Sequence, residues 1–293
     1  MSPELQARLI EAGLDPQAVE NVVRVALAED GDVDVTSEPI FSQERESAAD
    51  FTARAAGVVA GILPALVVFE ALGVRVVESP VLDGDSVTPG QVILTVEGPT
   101  RRVLRAERIA LNLLTHLSGI ATATSRWVEA IAGTKTRVRD TRKTLPGLRS
   151  LQKYAVRCGG GVNHRMGLSD AALIKDNHVA AAGSVTKAYQ AVRAAYPDLH
   201  IQVECDTLEQ VEEALAAGAE SILLDNMPPE TMARAVHLTG GRAELEASGG
   251  LTVDRARDVA VTGVDYLAVG ALTHSASVLD IGLDFHEAPQ AGT

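Results

Sequence analysis

The chain has 293 residues, of which 46% are hydrophobic and 22% are charged, and its net charge is −13. This length suits one large or two ordinary domains, and no apolar run approaches the roughly 20 residues of a membrane span. Two cysteines are too few for a disulfide framework or a cysteine metal site, and the N-terminus lacks the apolar core of a signal peptide. We therefore expect a cytoplasmic protein with no membrane partner.

The N-terminal part of the sequence predicts helices and strands in turn. Asp15 and Pro16 open an amphipathic helix that a glycine ends at Gly31. Residues 47–99 then contain apolar runs typical of strands around a short helix. Residues 103–132 are mostly apolar at helical spacing and predict one long helix or two helices in series.

After Gly133, short apolar strands alternate with helices. Thr207 and Gln210 have the form of a capping box at the start of a helix that ends at Gly218, and a second helix runs over residues 253–263. This alternation predicts a parallel sheet with helical crossovers. An eight-stranded barrel takes about 250 residues, so residues 118–277 predict a smaller barrel or an open sheet. The predicted strands are residues 136–140, 171–175, 200–204, 221–225, 243–247 and 266–270.

The positive charges are concentrated in one part of the chain. Residues 101–175 hold fifteen Lys and Arg against four Asp and Glu, a net +11, so the remainder carries −24. A basic segment inside an acidic protein favours a confined site for a small anion, although a solvated basic face is an alternative. Few aromatic residues are available to stack on bases, and the acidic remainder would repel a polyanion. We expect no nucleic-acid partner.

Charged or glycine-rich residues follow each of the six predicted strands. In parallel α/β folds the ligand binds at the carboxyl ends of the strands, where the loops converge. A single lysine at a strand end is usually a surface residue, but six such ends in register indicate a site that includes Lys175. The residues at these ends are Asp140–Lys143, Lys175–His178, Glu204–Asp206, Asp225 and Asn226, Glu246–Gly250, and Gly270 with Ala271.

The residue types narrow the chemistry of this site. Glu204 and Asp225 suit Mg²⁺, which accepts a few carboxylates and completes its shell with water and phosphate oxygens. Two glycine loops offer backbone N–H groups to a phosphate, although glycine also ends strands for steric reasons. These loops are Ser248, Gly249 and Gly250, and Val269, Gly270 and Ala271. Arg142, Lys143, His164 and Arg165 add cationic donors, so the site suits a Mg²⁺-bound phosphate and a multiply anionic partner.

Seven stretches of the sequence resemble the quinolinate phosphoribosyltransferase (nicotinate-nucleotide pyrophosphorylase, decarboxylating) family. They follow the family's order and cover nearly the whole chain. They are ERIALNLLTHLSGIAT (107–122), RDTRKTLPGLR (139–149), GGGVNHRMGLSDAALIKDNH (159–178), VECDT (203–207), LLDNMPP (223–229), LEASGGL (245–251) and VDYLAVGALTHS (264–275).

The resemblance implies a Mg²⁺-dependent reaction of de novo NAD synthesis. Quinolinate and 5-phosphoribosyl 1-diphosphate would give nicotinate mononucleotide, pyrophosphate and CO₂. It also implies an N-terminal α/β sandwich formed by residues 1–117. A C-terminal tail, residues 278–293, would return to this sandwich. An incomplete α/β barrel of about seven strands, residues 118–277, would carry the site; the residue pattern itself shows six strands. A homodimer or higher oligomer with shared active sites is implied as well.

Residue roles carried over from the family agree with this site. The quinolinate carboxylates would be bound by Arg142, His164, Arg165 and Lys175, with Arg108 contributed by a partner subunit. The residues implied to bind the diphosphate substrate are Lys143, Glu204, Asp225 and the loops at Ser248 and Gly270, with His274 near a phosphate. Thr141 is a further implied substrate-binding residue. Glu204 and Asp225 would hold the metal of the diphosphate substrate. Lys143, Lys175, Glu204 and Asp225 are thereby the implied catalytic residues.

Three alternatives remain open at the level of sequence. A molybdenum-associated homologue or a nicotinate-using phosphoribosyltransferase could share the scaffold, although a substrate with one carboxylate would not need so many cations. Lys175 could form a Schiff base in a barrel aldolase, which requires a desolvated lysine with a lowered pKa. A barrel that binds anions without catalysis is the third alternative.

Overall fold

The computed structural model describes residues 1–287, so residues 288–293 of the expected C-terminal tail lie outside the described residues. The chain forms two compact units. The first contains residues Met1–Ser125 and Thr144–Gly160 and the chain from Thr273 onward; the second contains Arg126–Lys143 and Gly161–Leu272. The sequence placed the domain boundaries at residues 117/118 and 277/278.

The helices of residues 1–287 are α1 (Pro3–Glu11), α2 (Pro16–Asp30), α3 (Ser37–Ile40), α4 (Ile62–Leu72), α5 (Thr100–Ala130), α6 (Arg149–Cys158), α7 (Asp176–Ala182), α8 (Val185–Ala195), α9 (Leu208–Ala217), α10 (Pro229–Thr239), α11 (Ala256–Ala260) and α12 (Ala271–His274). None of them combines the length and the apolar character needed to cross a bilayer.

The strands of residues 1–287 are β1 (Glu46–Ala53), β2 (Gly57–Val58), β3 (Arg75–Glu78), β4 (Ser86–Val87), β5 (Val92–Pro99), β6 (Arg137–Arg139), β7 (Ala172–Ile174), β8 (Ile201–Cys205), β9 (Ser221–Asp225), β10 (Glu244–Ser248), β11 (Tyr266–Ala268) and β12 (Ile281–Glu287).

The first unit is built on a four-stranded antiparallel sheet in the order β12-β1-β5-β3. Its core includes Phe51 of β1 and Phe69 of α4, whose rings meet edge to face with centroids 5.4 Å apart. The carboxylate of Asp83 accepts hydrogen bonds from the first N–H groups of α4, including that of Ile62 at 2.9 Å. It thereby satisfies backbone donors that have no partner within the helix.

The apolar stretch after β5 forms one helix, α5, rather than two in series. Its register is set by close approach to the chain that precedes β12, because a Cβ atom on Gly119 would lie 2.2 Å from the carbonyl oxygen of Ser277. At this position glycine is required by the space available.

The second unit contains the predicted parallel sheet, with six strands in the order β6-β11-β10-β9-β8-β7. All six lie where the alternating pattern placed them, and the α/β fold with an N-terminal sheet domain is confirmed. The first strand of the sheet, β6, pairs with the last, β11, as in a curled sheet. In place of a seventh strand, the described residues have one parallel bridge, between Arg139 and Val162.

Two local expectations of the sequence differ from the structure. The helix expected over residues 253–263 is a 3-10 turn (Val253–Arg255) followed by α11, which ends at Ala260. Val261 and Thr262 are β-branched and weaken the last helical turn, and Gly263 follows at φ 94°. Helix α6 interrupts the expected strand-helix alternation, and its residues belong to the first unit.

Candidate active site

A charged cavity of about 560 Å³ lies at the carboxyl ends of the parallel strands of the second unit. The register of a parallel sheet brings these ends to one edge, as the sequence analysis expected. The cavity is lined by eleven of the predicted site residues: Thr141, Arg142, Lys143, His164, Arg165, Lys175, Glu204, Asp225, Ser248, Gly249 and Gly250.

Five predicted residues do not line this cavity. Val269, Gly270 and Ala271 directly follow Ala268, which does line it at the end of β11. His274 belongs to the first unit, where its Nδ1 atom lies 2.6 Å from the Ser275 hydroxyl. Arg108 also belongs to the first unit and is exposed on α5.

Two further polar residues line the cavity, Asn226 and Glu246, which the sequence placed at strand ends without a binding or catalytic role. Asn226 directly follows Asp225. Glu246 lies in the middle of β10 between the apolar residues Leu245 and Ala247, and its side chain is 1% exposed. A buried carboxylate needs partners, so its position in the strand was a signal of a polar network.

The cavity concentrates positive charge. The Nε atom of Arg142 is buried and has no hydrogen-bond partner among the described residues. Burial lowers the pKa of the Arg165 guanidinium, and the positive charge of Arg142 lowers it further. Nη1 of Arg165 donates to the Ala171 carbonyl oxygen at 2.8 Å, which fixes the side chain at this edge. Two neighbouring guanidinium groups with an unused donor are suited to bind a multiply charged anion.

Lys175 forms an ion pair with Glu204, with Nζ 2.7 Å from Oε2. The lysine side chain is 47% exposed, so the pair lies at the rim of the cavity. A Schiff-base lysine requires a neutral, desolvated amine. A half-exposed ammonium group held by a carboxylate does not meet that requirement, so the geometry disfavours the aldolase alternative.

The ends of β9 and β10 form a tight cradle. Asn226 adopts a left-handed backbone conformation, with φ 52°. Its N–H donates to the Ser248 carbonyl oxygen at 2.9 Å, and its side-chain amide donates to Asp225 at 2.6 Å. Gly249 and Gly250 follow with φ values of 91° and 59°. Positive φ values at three positions of one rim are typical of a loop shaped for a ligand.

A buried polar network forms the floor of the cavity. Glu246 accepts a hydrogen bond from Arg139 at 2.7 Å and a weaker one from Gln202 at 3.3 Å. The guanidinium of Arg139 also stacks on the ring of Tyr266, with its central carbon 3.5 Å from the ring centroid. The Gln202 side chain connects this floor to His164, at 2.8 Å. The charge of Glu246 is thus offset within the sheet.

Two carboxylates are available for a metal ion in this cavity. Glu204 and Asp225 belong to the neighbouring parallel strands β8 and β9 and line the same edge. Residues 1–287 contain no group of three or more His, Cys, Asp or Glu side chains that would enclose a metal ion. Two carboxylates at an open edge fit Mg²⁺, which retains water and takes phosphate oxygens as its other ligands.

A second cavity of about 770 Å³ lies beside β7 and between α7 and α8. Its lining is mainly apolar, including Leu168, Val192 and Leu199. Enzyme sites require convergent polar groups as well as volume. The smaller charged cavity is therefore the candidate active site.

Comparison with known proteins agrees with this geometry. The family model for the quinolinate phosphoribosyl transferase C-terminal domain matches residues 120–284, and that for the N-terminal domain matches residues 34–118. The chain belongs to the quinolinate phosphoribosyltransferase family. The two matched ranges together include parts of both units.

Individual relatives support the same assignment. The nicotinate-nucleotide pyrophosphorylase [carboxylating] of Mycobacterium leprae is 52% identical over 276 residues, which is 91% of this chain and 97% of that protein. A probable enzyme of the same name from Bacillus subtilis is 44% identical, covering 87% of this chain and 88% of its own. The structure of NadC from Streptococcus pyogenes superimposes with a TM-score of 0.89 at 41% identity, covering 94% and 99% of the two chains.

We expect Gly249→Ala to destabilise the protein more than Gly241→Ala. Both glycines have positive φ, so each substitution introduces backbone strain of about 1–2 kcal/mol. A Cβ atom on Gly249 would also lie 2.1 Å from Asn226 Oδ1, whereas nothing lies within 4 Å of one on Gly241. This contact adds about 1–3 kcal/mol. Thermal unfolding of the two variants measures the difference, and equal losses of stability would contradict the tight cradle.

Proposed function

We propose that this protein transfers the phosphoribosyl group of 5-phosphoribosyl 1-diphosphate to quinolinate. The products are nicotinate mononucleotide, pyrophosphate and CO₂, and the reaction belongs to NAD biosynthesis. Membership of the quinolinate phosphoribosyltransferase family and the names of its relatives support this function.

The observation that carries the proposal is the set of cations around the charged cavity. The charge of Arg142 disfavours that of Arg165, and Lys175 lines the same space. A dianion such as quinolinate would offset this repulsion with its two carboxylates. Nicotinate has one carboxylate and would leave part of the positive charge uncompensated.

In the proposed mechanism the cations orient the pyridine ring. With the two carboxylates held by Arg142, Arg165 and Lys175, the ring nitrogen faces C1 of the ribose and replaces pyrophosphate there. Holding the two reactants in this geometry contributes to the rate through proximity. We assign Lys143 to the departing pyrophosphate and Glu204 to the positive charge that develops at C1.

The loss of CO₂ follows from the charge of the ribosylated ring. Ribosylation gives the ring nitrogen a positive charge. The electrons of the adjacent carbon–carboxylate bond then pass into the ring as CO₂ departs, and a proton takes the vacated position. The cationic ring is itself the electron acceptor for this step, so our proposal includes no organic cofactor.

We propose that Glu204 and Asp225 hold a Mg²⁺ ion, supported by their position on neighbouring strands. Bound there, Mg²⁺ would neutralise charge on the diphosphate of the substrate and on pyrophosphate. The ion pair with Lys175 holds the Glu204 carboxylate in place at the rim. Ser248, Gly249 and Gly250 provide backbone N–H groups for the phosphate.

We further propose that two chains form a homodimer, or a higher oligomer, in which Arg108 completes the partner's site. Arg108 is exposed on α5 and lines a cavity of the first unit together with Arg101, Arg102 and Arg105. Arg101 and Arg105 donate hydrogen bonds to backbone carbonyl groups of residues 31–41. Arg108 extends this basic helix surface.

An assay with two acceptor substrates tests the function. With 5-phosphoribosyl 1-diphosphate and Mg²⁺, we expect quinolinate to yield nicotinate mononucleotide and CO₂ in equal amounts. We expect nicotinate to be used about 30- to 150-fold less efficiently, because a lost charge-assisted contact costs about 2–3 kcal/mol. Chromatography of the nucleotide and trapping of labelled CO₂ measure both products. Equal use of nicotinate would contradict the dianion site.

We expect Glu204→Gln and Asp225→Asn to weaken the dependence of the rate on Mg²⁺. Each amide retains the shape of the carboxylate but loses its charge, and we expect at least about a tenfold loss of rate, or about 1.4 kcal/mol. Titration of Mg²⁺ at fixed substrate concentrations measures the apparent metal affinity. Glu220→Gln, an exposed glutamate of the same unit, is the control. Wild-type Mg²⁺ titration curves in both site variants would refute the metal assignment.

A mixing experiment tests the shared site. We expect Arg108→Ala and Lys175→Ala to be nearly inactive as homodimers. In a mixed dimer with a shared site, one site has both residues and the other has neither, so about half of wild-type activity returns.

If Arg108 acts within its own chain, each site of the mixed dimer lacks one residue and no activity returns. Subunit exchange is confirmed by mass spectrometry of differently tagged chains. Absence of recovery after confirmed exchange would refute the shared site.

A further inference from the structure

The side chain of Asn226 lies between the carboxylate of Asp225 and the glycine loop at the end of β10. Its nitrogen, Nδ2, is 2.6 Å from Asp225 Oδ2. A carboxylate accepts hydrogen bonds and does not donate them, so the amide group that faces Asp225 is the NH₂ group. This contact leaves one orientation for the amide, with its oxygen on the side away from Asp225.

The other side of the amide lies against Gly249. A Cβ atom on Gly249 would lie 2.6 Å from Asn226 Cγ and 2.9 Å from the Asn226 backbone nitrogen. The space that a side chain on Gly249 would fill is therefore occupied by the amide. The end of β10 limits the movement of the Asn226 side chain on one side, and the Asp225 carboxylate limits it on the other.

The backbone of Asn226 determines the direction from which its amide reaches Asp225. Its φ of 52° lies in the left-handed region, which asparagine adopts more readily than most residues that have a side chain. Its N–H donates to the Ser248 carbonyl oxygen at 2.9 Å. Ser248 is also the residue that pairs with Asp225 in the register of β9 and β10, so the turn is attached to the sheet beside the carboxylate it contacts.

This contact occupies one of the two oxygens of Asp225. Among the described residues, Asn226 is the only hydrogen-bond donor to the Asp225 side chain, and it binds Oδ2. A carboxylate at the end of a strand can still rotate about its side-chain bonds, and a hydrogen bond to one oxygen restricts that rotation. Hydrogen bonds of this kind orient the carboxylate ligands of metal ions in proteins.

We propose that Asn226 is a positioning residue for the metal site, whose amide binds Asp225 Oδ2 and presents Oδ1 to the metal ion. This role rests on the proposed function, in which Glu204 and Asp225 hold Mg²⁺. The other carboxylate is held in a corresponding way, since Lys175 Nζ lies 2.7 Å from Glu204 Oε2. The donor at Asp225 is neutral, so it orients this carboxylate without offsetting the charge that attracts the metal.

The substitution Asn226→Gly removes the amide and retains the turn. Glycine adopts a φ of 52° without strain and retains the N–H that binds Ser248. Asn177→Ala is the matched control. Asn177 also directly follows an aspartate near the end of a parallel strand, is exposed, and does not line the charged cavity.

The metal affinity of these variants can be measured without turnover. Mn²⁺ alone is the probe, because it accepts the same oxygen ligands as Mg²⁺ and is detected by electron paramagnetic resonance. Loss of a hydrogen bond to a metal ligand costs about 10- to 100-fold in affinity. Since Asn226 is exposed, we expect the lower value, an increase of about tenfold in the Kd for Mn²⁺ in Asn226→Gly and no change in Asn177→Ala. An unchanged Kd in Asn226→Gly would overturn the proposal.

A double-mutant cycle separates positioning from direct binding of the metal by Asn226. In an Asp225→Ala background the amide has no carboxylate to orient, while Glu204 still binds the metal. We therefore expect Asn226→Gly to change the Kd for Mn²⁺ by less than about twofold in that background. The full tenfold loss in that background would overturn the proposal, because it would show that Asn226 binds the metal itself.

The titration contains no quinolinate, so its outcome is separate from that of the proposed function. If the wild-type protein does not convert quinolinate but Asn226→Gly weakens Mn²⁺ binding as expected, the proposed function fails and the positioning role stands. If the wild-type protein converts quinolinate and Asn226→Gly binds Mn²⁺ as tightly as the wild type does, the positioning role fails and the proposed function stands.

Discussion

The main physical constraint on this structure is the cost of holding several cations around one small cavity. Two unit charges about 4 Å apart interact by about 4 kcal/mol at the effective dielectric of a protein surface. Repulsion of this kind from Arg142 contributes, after burial, to the lowered pKa of Arg165. The fold limits the cost in two ways: Glu204 pairs with Lys175 at the rim, and Glu246 supplies a negative charge in the floor. The remaining positive charge is available to an anionic ligand.

The parallel sheet determines where these charges lie. Neighbouring strands fix the spacing of Glu204 and Asp225, since both are carried by strands rather than by mobile loops. Among the described non-glycine residues, only Asn226 has a positive φ, and it lies at this rim. That strain is balanced by hydrogen bonds to Ser248 and Asp225. A rigid scaffold with a strained rim is what precise positioning of two reactants requires.

Much of this arrangement could be predicted from sequence because its signals are local. Each strand of the second unit is a short apolar run with a charged or glycine-rich end, and such runs are visible without knowledge of their neighbours. The capping box at Thr207 and the glycine at Gly218 located a helix end for the same reason. No local feature of the sequence indicated that α6 belongs to the first unit, since its amphipathic pattern is compatible with packing in either unit.

The floor of the cavity could not be predicted in this way. Arg139 and Glu246 are 107 residues apart in the chain, and Gln202 lies on a third strand. Each has the spacing of an ordinary strand residue, and only the three-dimensional register shows that their side chains meet. A buried acid in an apolar strand indicates that partners exist, but it does not identify them.

The segment at Val162 pairs with β6 only briefly, and this explains why His164 and Arg165 lie at the cavity. Val162 is joined to β6 by two backbone hydrogen bonds, from its N–H to Val138 and from the Asp140 N–H to its carbonyl oxygen. The next residue is joined by a side-chain contact, from the Asn163 amide to Asp140 at 2.5 Å.

A full strand would have extended this pairing and turned alternate side chains away from the opening. After the single bridge at Val162, the backbone N–H groups bond to side chains instead of to a neighbouring strand. The backbone N–H of His164 binds Asp140, and that of Arg165 binds the His164 ring. Consecutive residues can therefore both line the cavity, which a regular strand does not permit. The short pairing at Val162 shapes the cavity, because the regular sheet ends where the cavity-lining residues His164 and Arg165 begin.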